Sequence, residues 1–384
     1  MKLLPPKLFY FFWFFALGSA MPFIVLYYRR VGLDEAQIGL LLALSGVTQI
    51  VAGPLWGLLA DALRLRRLLP VVIVGTLVPV ALIGRVTDFA PIFALALTQA
   101  LFSVAVSPLA DSATLAALGE HRERYGAQRV WGAVGWGIST VVAGWLVEPE
   151  RLGLGMIFWA YPLMGGLAVL ASLAMPRAAL PSTGVNLAGG ARRLLRDPRW
   201  ARFLVSALLI GCSGALVHGF LSLYLEDLGA GGEQIGLAYL VASISELPVM
   251  AISPIVLRRW GARPLLVVSG LAYAVRMALF ASAPVPEWVL VAQLLHGLCF
   301  AAMWTGGVVE AQRLAPPGLE ATAQSLFGTA VFGVAVAIAN TVGGVIYRDL
   351  GFGALFASAA VLALLGALGM VVGRTQQPAP VGGQ

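Results

Sequence analysis

QIGLLLALSGVTQIVAGPLWGLLADALRLRR, Gln37 to Arg67, and QIGLAYLVASISELPVMAISPIVLRRWGARP, Gln234 to Pro264, open on the same four residues. Each then runs apolar for the roughly 20 residues a membrane-spanning helix needs, carries a Pro near the far end (Pro54, Pro254) and finishes in arginines. The two copies are the trace of an internal duplication. Working outward from them, apolar runs bounded by charges or Gly/Pro clusters fall near residues 8–28, 38–60, 67–86, 92–118, 128–147, 156–175, 203–225, 234–257, 263–283, 288–310, 320–346 and 352–373. Each copy opens the second run of a set of six. A six-plus-six arrangement predicts a transporter whose halves rock about a site near the bilayer midplane.

Composition agrees. The 384 residues are 59% hydrophobic and 11% charged, with a mean hydropathy of +0.88, against about 25% charged residues in a soluble domain. This excludes a soluble enzyme with one core, and it excludes disorder, which needs charge in excess. Lys2 and Lys7 precede the first run, which is too long for a secretory leader; a faint cleavage signal at Gly18 and Ala20 is rejected because it would delete the first helix of twelve. The net charge of +7 points to the bilayer as partner and not to nucleic acid. Nineteen of the 25 Lys and Arg fall in one set of alternate connections with both termini, five (Arg29, Arg30, Arg85, Arg151, Arg348) fall in the other, and Arg276 is inside a span. Positive charge marks the cytoplasmic side. Both termini are therefore expected in the cytoplasm, with the chain in the inner membrane. The acid-rich connections, with Asp34, Glu35, Glu148, Glu226, Asp227 and Glu233, are expected outside. Residues 1–175 and 201–373 read as two six-helix bundles joined by a Pro-, Ser- and Arg-rich linker at 176–200, with a short tail at 374–384. Cys212 and Cys299 both lie in apolar segments, so no disulfide, metal cluster or cofactor is expected.

Ionisable residues inside a membrane span are costly, about 2.5–3.5 kcal/mol on the lower scales, and so point to function. Asp111, Glu246, Arg276 and His296 are such residues, and Arg129 begins the fifth span with Trp136 seven residues on, on the same helical face. A guanidinium fork beside an indole ring suits a polar solute. Asp111 and Arg129 read equally as a salt bridge pinning two helices; Glu246 with Arg276 as a buried structural pair is the lesser reading, because two ions in a helix interface are costly to retain for packing alone. His296 reads equally as a satisfied interior histidine. His218 is ambiguous, Glu310 beside Arg313 reads as interfacial, and the aromatic run Phe9 to Phe15 reads as lipid-facing and packing surface. In the turn after the second span, Gly57 permits close helix approach and Asp61 with Arg64 could hold helix ends in one state and release them in another; the plainer reading is a solvated helix end.

These residues resemble the major facilitator superfamily, and within it the branch of lactose permease and the phenylpropionate permease-like proteins. Gly57-X3-Asp61 with its trailing arginines looks like the superfamily's loop between helices 2 and 3, which implies conformational gating by Gly57, Asp61 and Arg64; the second copy, SPIVLRRWGARP, lacks the acid. SPLADSATL (Ser107 to Leu115) followed by YGAQRVWGAVGW (Tyr125 to Trp136) has the branch's spacing of acid, Arg and Trp, so the resemblance implies that Asp111, Arg129 and Trp136 bind substrate. ISELPV, AYAVRMAL and LLHGLCF place Glu246, Arg276 and His296 at the branch's helix 8 Glu, helix 9 Arg and helix 10 His, which implies a part in proton coupling, and ATAQSLFGTAVFG resembles the phenylpropionate group. Cys299 stands where lactose permease has a carboxylate one turn after the His. If coupling exists, Glu246 is the best remaining carrier, alternating between burial and contact with Arg276. The expected activity is proton symport of a small organic solute by a monomer through alternating access; an uncoupled facilitator or an exporter of the same fold is the alternative. An aromatic acid would meet Arg129 as a carboxylate, and a sugar or nucleoside would use Arg129 and Asp111 through hydroxyls. A membrane enzyme or sensor is disfavoured: there is no GxxxxGK[ST] loop or HExxH, and His121, His218 and His296 lie in separate segments.

Overall fold

The computed structural model describes residues 3–63, 68–175 and 187–372; within them, only the backbone is described at 54, 57–63 and 187–188. Arg64, residues 176–186 of the expected linker and the tail beyond 372 lie outside the described residues, and Gly57 and Asp61 lie where only the helix backbone is described.

The described chain is helical, without strands. The helices are α1 (Leu4–Ala20), α2 (Ile24–Arg30), α3 (Glu35–Leu63), α4 (Leu68–Ile83), α5 (Phe89–Leu118), α6 (Tyr125–Leu146), α7 (Ile157–Leu173), α8 (Leu187–Arg196), α9 (Pro198–Asp227), α10 (Gly232–Trp260), α11 (Ala262–Ala281), α12 (Pro286–Ala292), α13 (His296–Leu314), α14 (Glu320–Gly328) and α15 (Ala335–Val372). In hydrocarbon the backbone must satisfy its own hydrogen bonds, and the helix does so within one segment. Among the described residues nine helices are long and apolar enough to cross a membrane, counting 4–30 and 320–372 as one each. The expected runs fall on helical residues, with two adjustments. The first is split at Met21–Phe23, where Pro22 has no N–H to continue the ladder. The last two are fused in α15 and broken only at Gly351, whose φ of 78° is one glycine adopts without a Cβ clash.

The helices pack as two sets. In the first, α1 lies against α6 and α7, α4 against α5 and α7, and α3 against α5. In the second, α9 lies against α15, α11 against α13 and α15, and α10 against α13. The sets meet along two seams, α3 with α15 and α6 with α10. The duplicated tetrapeptide supplies the close-approach glycine of each seam. A side chain at Gly39 would strike the Asn340 carbonyl and the Cα of Gly344, and one at Gly236 would strike the Thr140 carbonyl and the Cα of Gly144. The preceding isoleucines, Ile38 and Ile235, are buried.

Ion pairs gather at the same end. Arg29 pairs with Asp227 at 2.6 Å and Glu226 at 3.2 Å, Arg151 with Glu233 at 2.9 Å, and Arg348 with Asp34 at 3.9 Å. Among the described residues every ion pair that joins the two sets lies at this acid-rich end. Partly exposed pairs contribute at most about 1 kcal/mol each, so the backbone-close seams are the stronger closure.

The segment expected as a plain linker contains a helix. In α8, Arg192, Arg193 and Arg196 are exposed while Leu194 is buried, and the helix rests on α9 and α14. The aromatic run at 9–15 supplies packing surface: Phe9, Tyr10 and Trp13, three of its seven residues, are at most 2% exposed.

Candidate functional site

The polar groups of the spans form two clusters. The first starts from α1, α5 and α6. Tyr10 donates its hydroxyl hydrogen to Asp111 Oδ1 at 2.6 Å, and Thr114, one turn past Asp111, reaches the same Tyr10 oxygen at 3.3 Å. Arg129 lies over two ring faces, 5.1 Å from the Tyr10 centroid and 4.5 Å from that of Phe14. Ring quadrupoles attract a guanidinium without consuming its N–H groups. Asp111 and Arg129 do not form an ion pair with each other. Both are half-buried, and Tyr10, a residue sequence reasoning passed over, holds them together.

The second cluster is built from α10, α11 and α13 and owes its geometry to two local features. A turn of 3-10 helix, Gln293–Leu295, precedes α13; in that geometry residues three apart eclipse, so Gln293 and His296 point the same way, at Arg276. Then α13 approaches α10 without a side chain between them, since a Cβ at Gly297 would strike the Ser245 carbonyl. The Gly297 N–H donates to Ser245 Oγ at 2.9 Å. Their neighbours in sequence, His296 and Glu246, thereby come within 3.0 Å, Nε2 to Oε1.

Arg276 completes the chain of contacts. It is 1% exposed; one terminal nitrogen lies 3.1 Å from His296 Nδ1, and the other donates to Gln293 Oε1. Gln293 Nε2 passes the chain on to the Ala238 carbonyl at 3.0 Å. Because a guanidinium can only donate, His296 Nδ1 must accept. The imidazole is therefore the neutral tautomer carrying its hydrogen on Nε2, and it donates to Glu246. The direct Glu246–Arg276 pair considered from the sequence is replaced by a relay through His296.

The second cluster opens on a space between the two helix sets. A cavity of about 110 Å³ is lined by Trp136 from the first set and by His218, Tyr239, Glu246, Arg276, Gln293 and His296, among others, from the second. That is room for several waters or a small hydroxyl-bearing group, since one water needs roughly 10–15 Å³ on this measure. Trp136 and Tyr239 meet edge-on across the seam at 6.3 Å, and Tyr239 shares a 3.2 Å hydrogen bond with Ser222. Tyr239 is one turn beyond Gly236 and Trp136 one turn before Thr140, so the α6–α10 seam roofs the cavity. His218 faces the space, its ring 5.9 Å from that of His296. Asp111 and Arg129 do not line the cavity; Arg129 stands two turns, about 10 Å, from Trp136 on the same face of α6.

Two further residues are placed. Glu310 is 2% exposed; it binds Arg263 at 2.9 Å and Arg313 at 2.7 Å. Cys299 is fully buried, and its carbonyl accepts from Ser269.

The whole chain has relatives. The family model described as MFS_1 like family matches residues 3–358. The maltose permease of Geobacillus stearothermophilus is 29% identical over 94% of this chain and 92% of its own length. The probable 3-phenylpropionic acid transporter of Escherichia coli K12 is 25% identical over 92% of this chain and 93% of its own. Among solved structures, the D323A mutant of the nucleoside transporter NupG superposes with a TM-score of 0.88 at 19% identity, over 98% of this chain and 100% of that one; at that identity the likeness is one of fold. These relatives are membrane transporters and not enzymes. With its helices, its paired seams and a family match over nearly all its length, the chain belongs to the MFS_1 like family of the major facilitator superfamily.

Proposed function

We propose that the chain is a proton-coupled secondary transporter of a small, uncharged, hydroxyl-rich solute of the sugar or nucleoside type, working by alternating access as a monomer in the cytoplasmic membrane. In this reading residues 1–175 and 201–373 are six-helix bundles joined through 176–200, the chain crosses the bilayer twelve times, and both termini are cytoplasmic. The closed acid-rich end then faces outward, and the described state is open towards the cytoplasm. Gly57, Asp61 and Arg64 are assigned the cytoplasmic gate on their sequence motif alone.

The observation that carries the reading is the occupied state of Arg276. Arg276 is 1% exposed and one N–H of each terminal nitrogen is taken by His296 and Gln293, so it is enclosed away from a substrate carboxylate, and it fixes His296 as neutral. Glu246 is then the lining group free to gain or lose a proton while the rest of the relay stays intact. A substrate anion entering the cavity would meet a carboxyl group beside an enclosed guanidinium, whereas hydroxyls find acceptors and donors on Glu246, His218 and Tyr239 with Trp136 as a flat platform. Arg129 and Asp111 form a second station two turns along α6, which a longer solute reaches while resting on Trp136.

The test is uptake into proteoliposomes with an imposed proton gradient, offered maltose, uridine and 3-phenylpropionate. Maltose or uridine should accumulate in the wild type, 3-phenylpropionate should not, and Glu246→Gln should abolish accumulation while leaving exchange of solute across the membrane. Uphill uptake that survives in Glu246→Gln would remove Glu246 as the carrier. Accumulation of 3-phenylpropionate alone would overturn the uncharged-solute reading.

A further inference from the structure

We propose that the arginine-rich end of the second helix set binds a phosphate-bearing anion at the mouth of a narrow cleft between α9, α11, α13 and α15, whose interior of about 20 Å³ has room for a water or two. The cleft is lined by Arg199, Arg202, Phe203, Arg263, Glu310 and Met370, among others. It lies at the opposite end of these helices from the ion-paired seam and is separate from the cavity beneath Trp136.

The charge arrangement carries the inference. Arg199 and Arg202 are three residues apart at the start of α9, hence on one face; both are exposed, and neither has an ion-pair partner among the described residues. Across the cleft, Arg263 and Arg313 are held by Glu310. That carboxylate accepts three hydrogen bonds: Oε1 from Arg263 Nε at 2.9 Å and from Arg313 at 2.7 Å, and Oε2 from Arg313 Nε at 2.8 Å. It orients two guanidinium groups and makes no ion pair with Arg199 or Arg202 among the described residues. The lining thus holds three guanidinium groups, Arg199, Arg202 and Arg263, against one carboxylate, and the surplus is positive.

Membrane sorting by itself requires only that arginines lie on one side. It does not require a cleft between four helix ends, nor a buried acid that fixes arginines in place. A guanidinium fork matches phosphate oxygens, and basic clefts between spans on this side suit lipid headgroups. Phe203 and Met370, 4% and 6% exposed, give the same cleft an apolar wall. The shared chemistry is a phosphate group, carried either by a phospholipid headgroup or by a soluble phosphate.

The test uses the full-length chain, stripped of lipid in detergent and titrated with dioleoylphosphatidylglycerol, with dioleoylphosphatidylcholine as control, read by thermal shift and native mass spectrometry. Phosphatidylglycerol should bind the wild type, and the double variant Arg199→Gln with Arg202→Gln should bind it roughly tenfold or more weakly, the loss expected for at least one charge-assisted contact. Removing the same charge from the neighbouring helix end, Arg258→Gln with Arg259→Gln, should leave binding unchanged. Inorganic phosphate that competes at millimolar concentration assigns the site to a soluble phosphate; failure to compete assigns it to the lipid. Equal losses in the two double variants, or equal binding of phosphatidylcholine, would overturn the proposal. Should the Arg199/Arg202 variant not fold, photo-crosslinking of the wild type with a phosphatidylglycerol probe decides: adducts are expected on peptides containing residues 199–203 or 370, and adducts found only elsewhere refute the site.

Discussion

The two polar clusters use the same kinds of residue, an arginine with a carboxylate, in opposite ways. At Tyr10, Asp111 and Arg129 the guanidinium lies on ring faces and the carboxylate takes a phenol hydrogen. The arginine's donors are left available. At Glu246, His296, Arg276 and Gln293 the guanidinium is enclosed and one N–H of each terminal nitrogen is used, with each link fixed by the next. A partnership through ring faces can be traded for a ligand at little cost, since cation–π contacts contribute about 0.5–2 kcal/mol. Undoing the second cluster strands buried polar groups at roughly 1–3 kcal/mol each. The first cluster is built to change partners, the second to hold His296 neutral.

The comparison breaks most sharply at Arg276. Arg276→Leu strands His296 Nδ1 and Gln293 Oε1 and should destabilise the protein by several kcal/mol, about 2–6 from the two stranded groups, seen as a large loss of thermal stability in detergent. Arg129→Leu, which strands no buried partner, should cost under about 2 kcal/mol; equal losses in the two variants would end the distinction. Next comes Gly297→Ala. Its Cβ would press α13 off α10 at Ser245, costing about 1–3 kcal/mol and parting His296 from Glu246, so proton-driven accumulation should fall strongly while Gly126→Ala, with open space around it, changes nothing. If Gly297→Ala accumulates solute like the wild type, the relay is not needed for coupling. The smallest effect is expected for Tyr10→Phe, which removes the hydrogen bond to Asp111 and the longer one from Thr114, the latter keeping its bond to the Ala110 carbonyl, at a cost of about 1 kcal/mol. Its stability should barely move, but solute affinity should change if Asp111 is thereby released to the substrate. An unchanged dissociation constant would place the first cluster outside the binding path.

Much of this was legible in the residues. The apolar runs located the helices, because a span of given thickness needs a given length of unbroken hydrophobicity. The repeated QIGL located the second helix of each set. What it did not disclose is why the glycine recurs: Gly39 and Gly236 are where one set touches the other, and their partners Gly344 and Gly144 lie in segments with no shared motif. Glu246, Arg276 and His296 stood out as charges in hydrocarbon. Their order along a hydrogen-bonded chain did not, because it depends on a 3-10 turn at Gln293 and a close approach at Gly297 that leave no compositional mark. Tyr10 was hidden among six aromatic neighbours, and one hydroxyl in such a run carries no distinguishing signal. Glu310 next to Arg313 suggested a surface pair, and only the arrival of Arg263 from another helix makes it a buried one.

The seams have a consequence for how the molecule changes shape. Where glycine meets backbone, the attraction is dispersion between atoms in direct contact, and a gap of half to one ångström already forfeits about a quarter to a half of it. No long side chain at Gly39, Gly344, Gly144 or Gly236 can stretch to keep touch as the surfaces part. Such a closure has a steep, short-range profile with no stable half-separated position. The acid-rich end should therefore behave like a snap fastener, shut or released, with few molecules dwelling between.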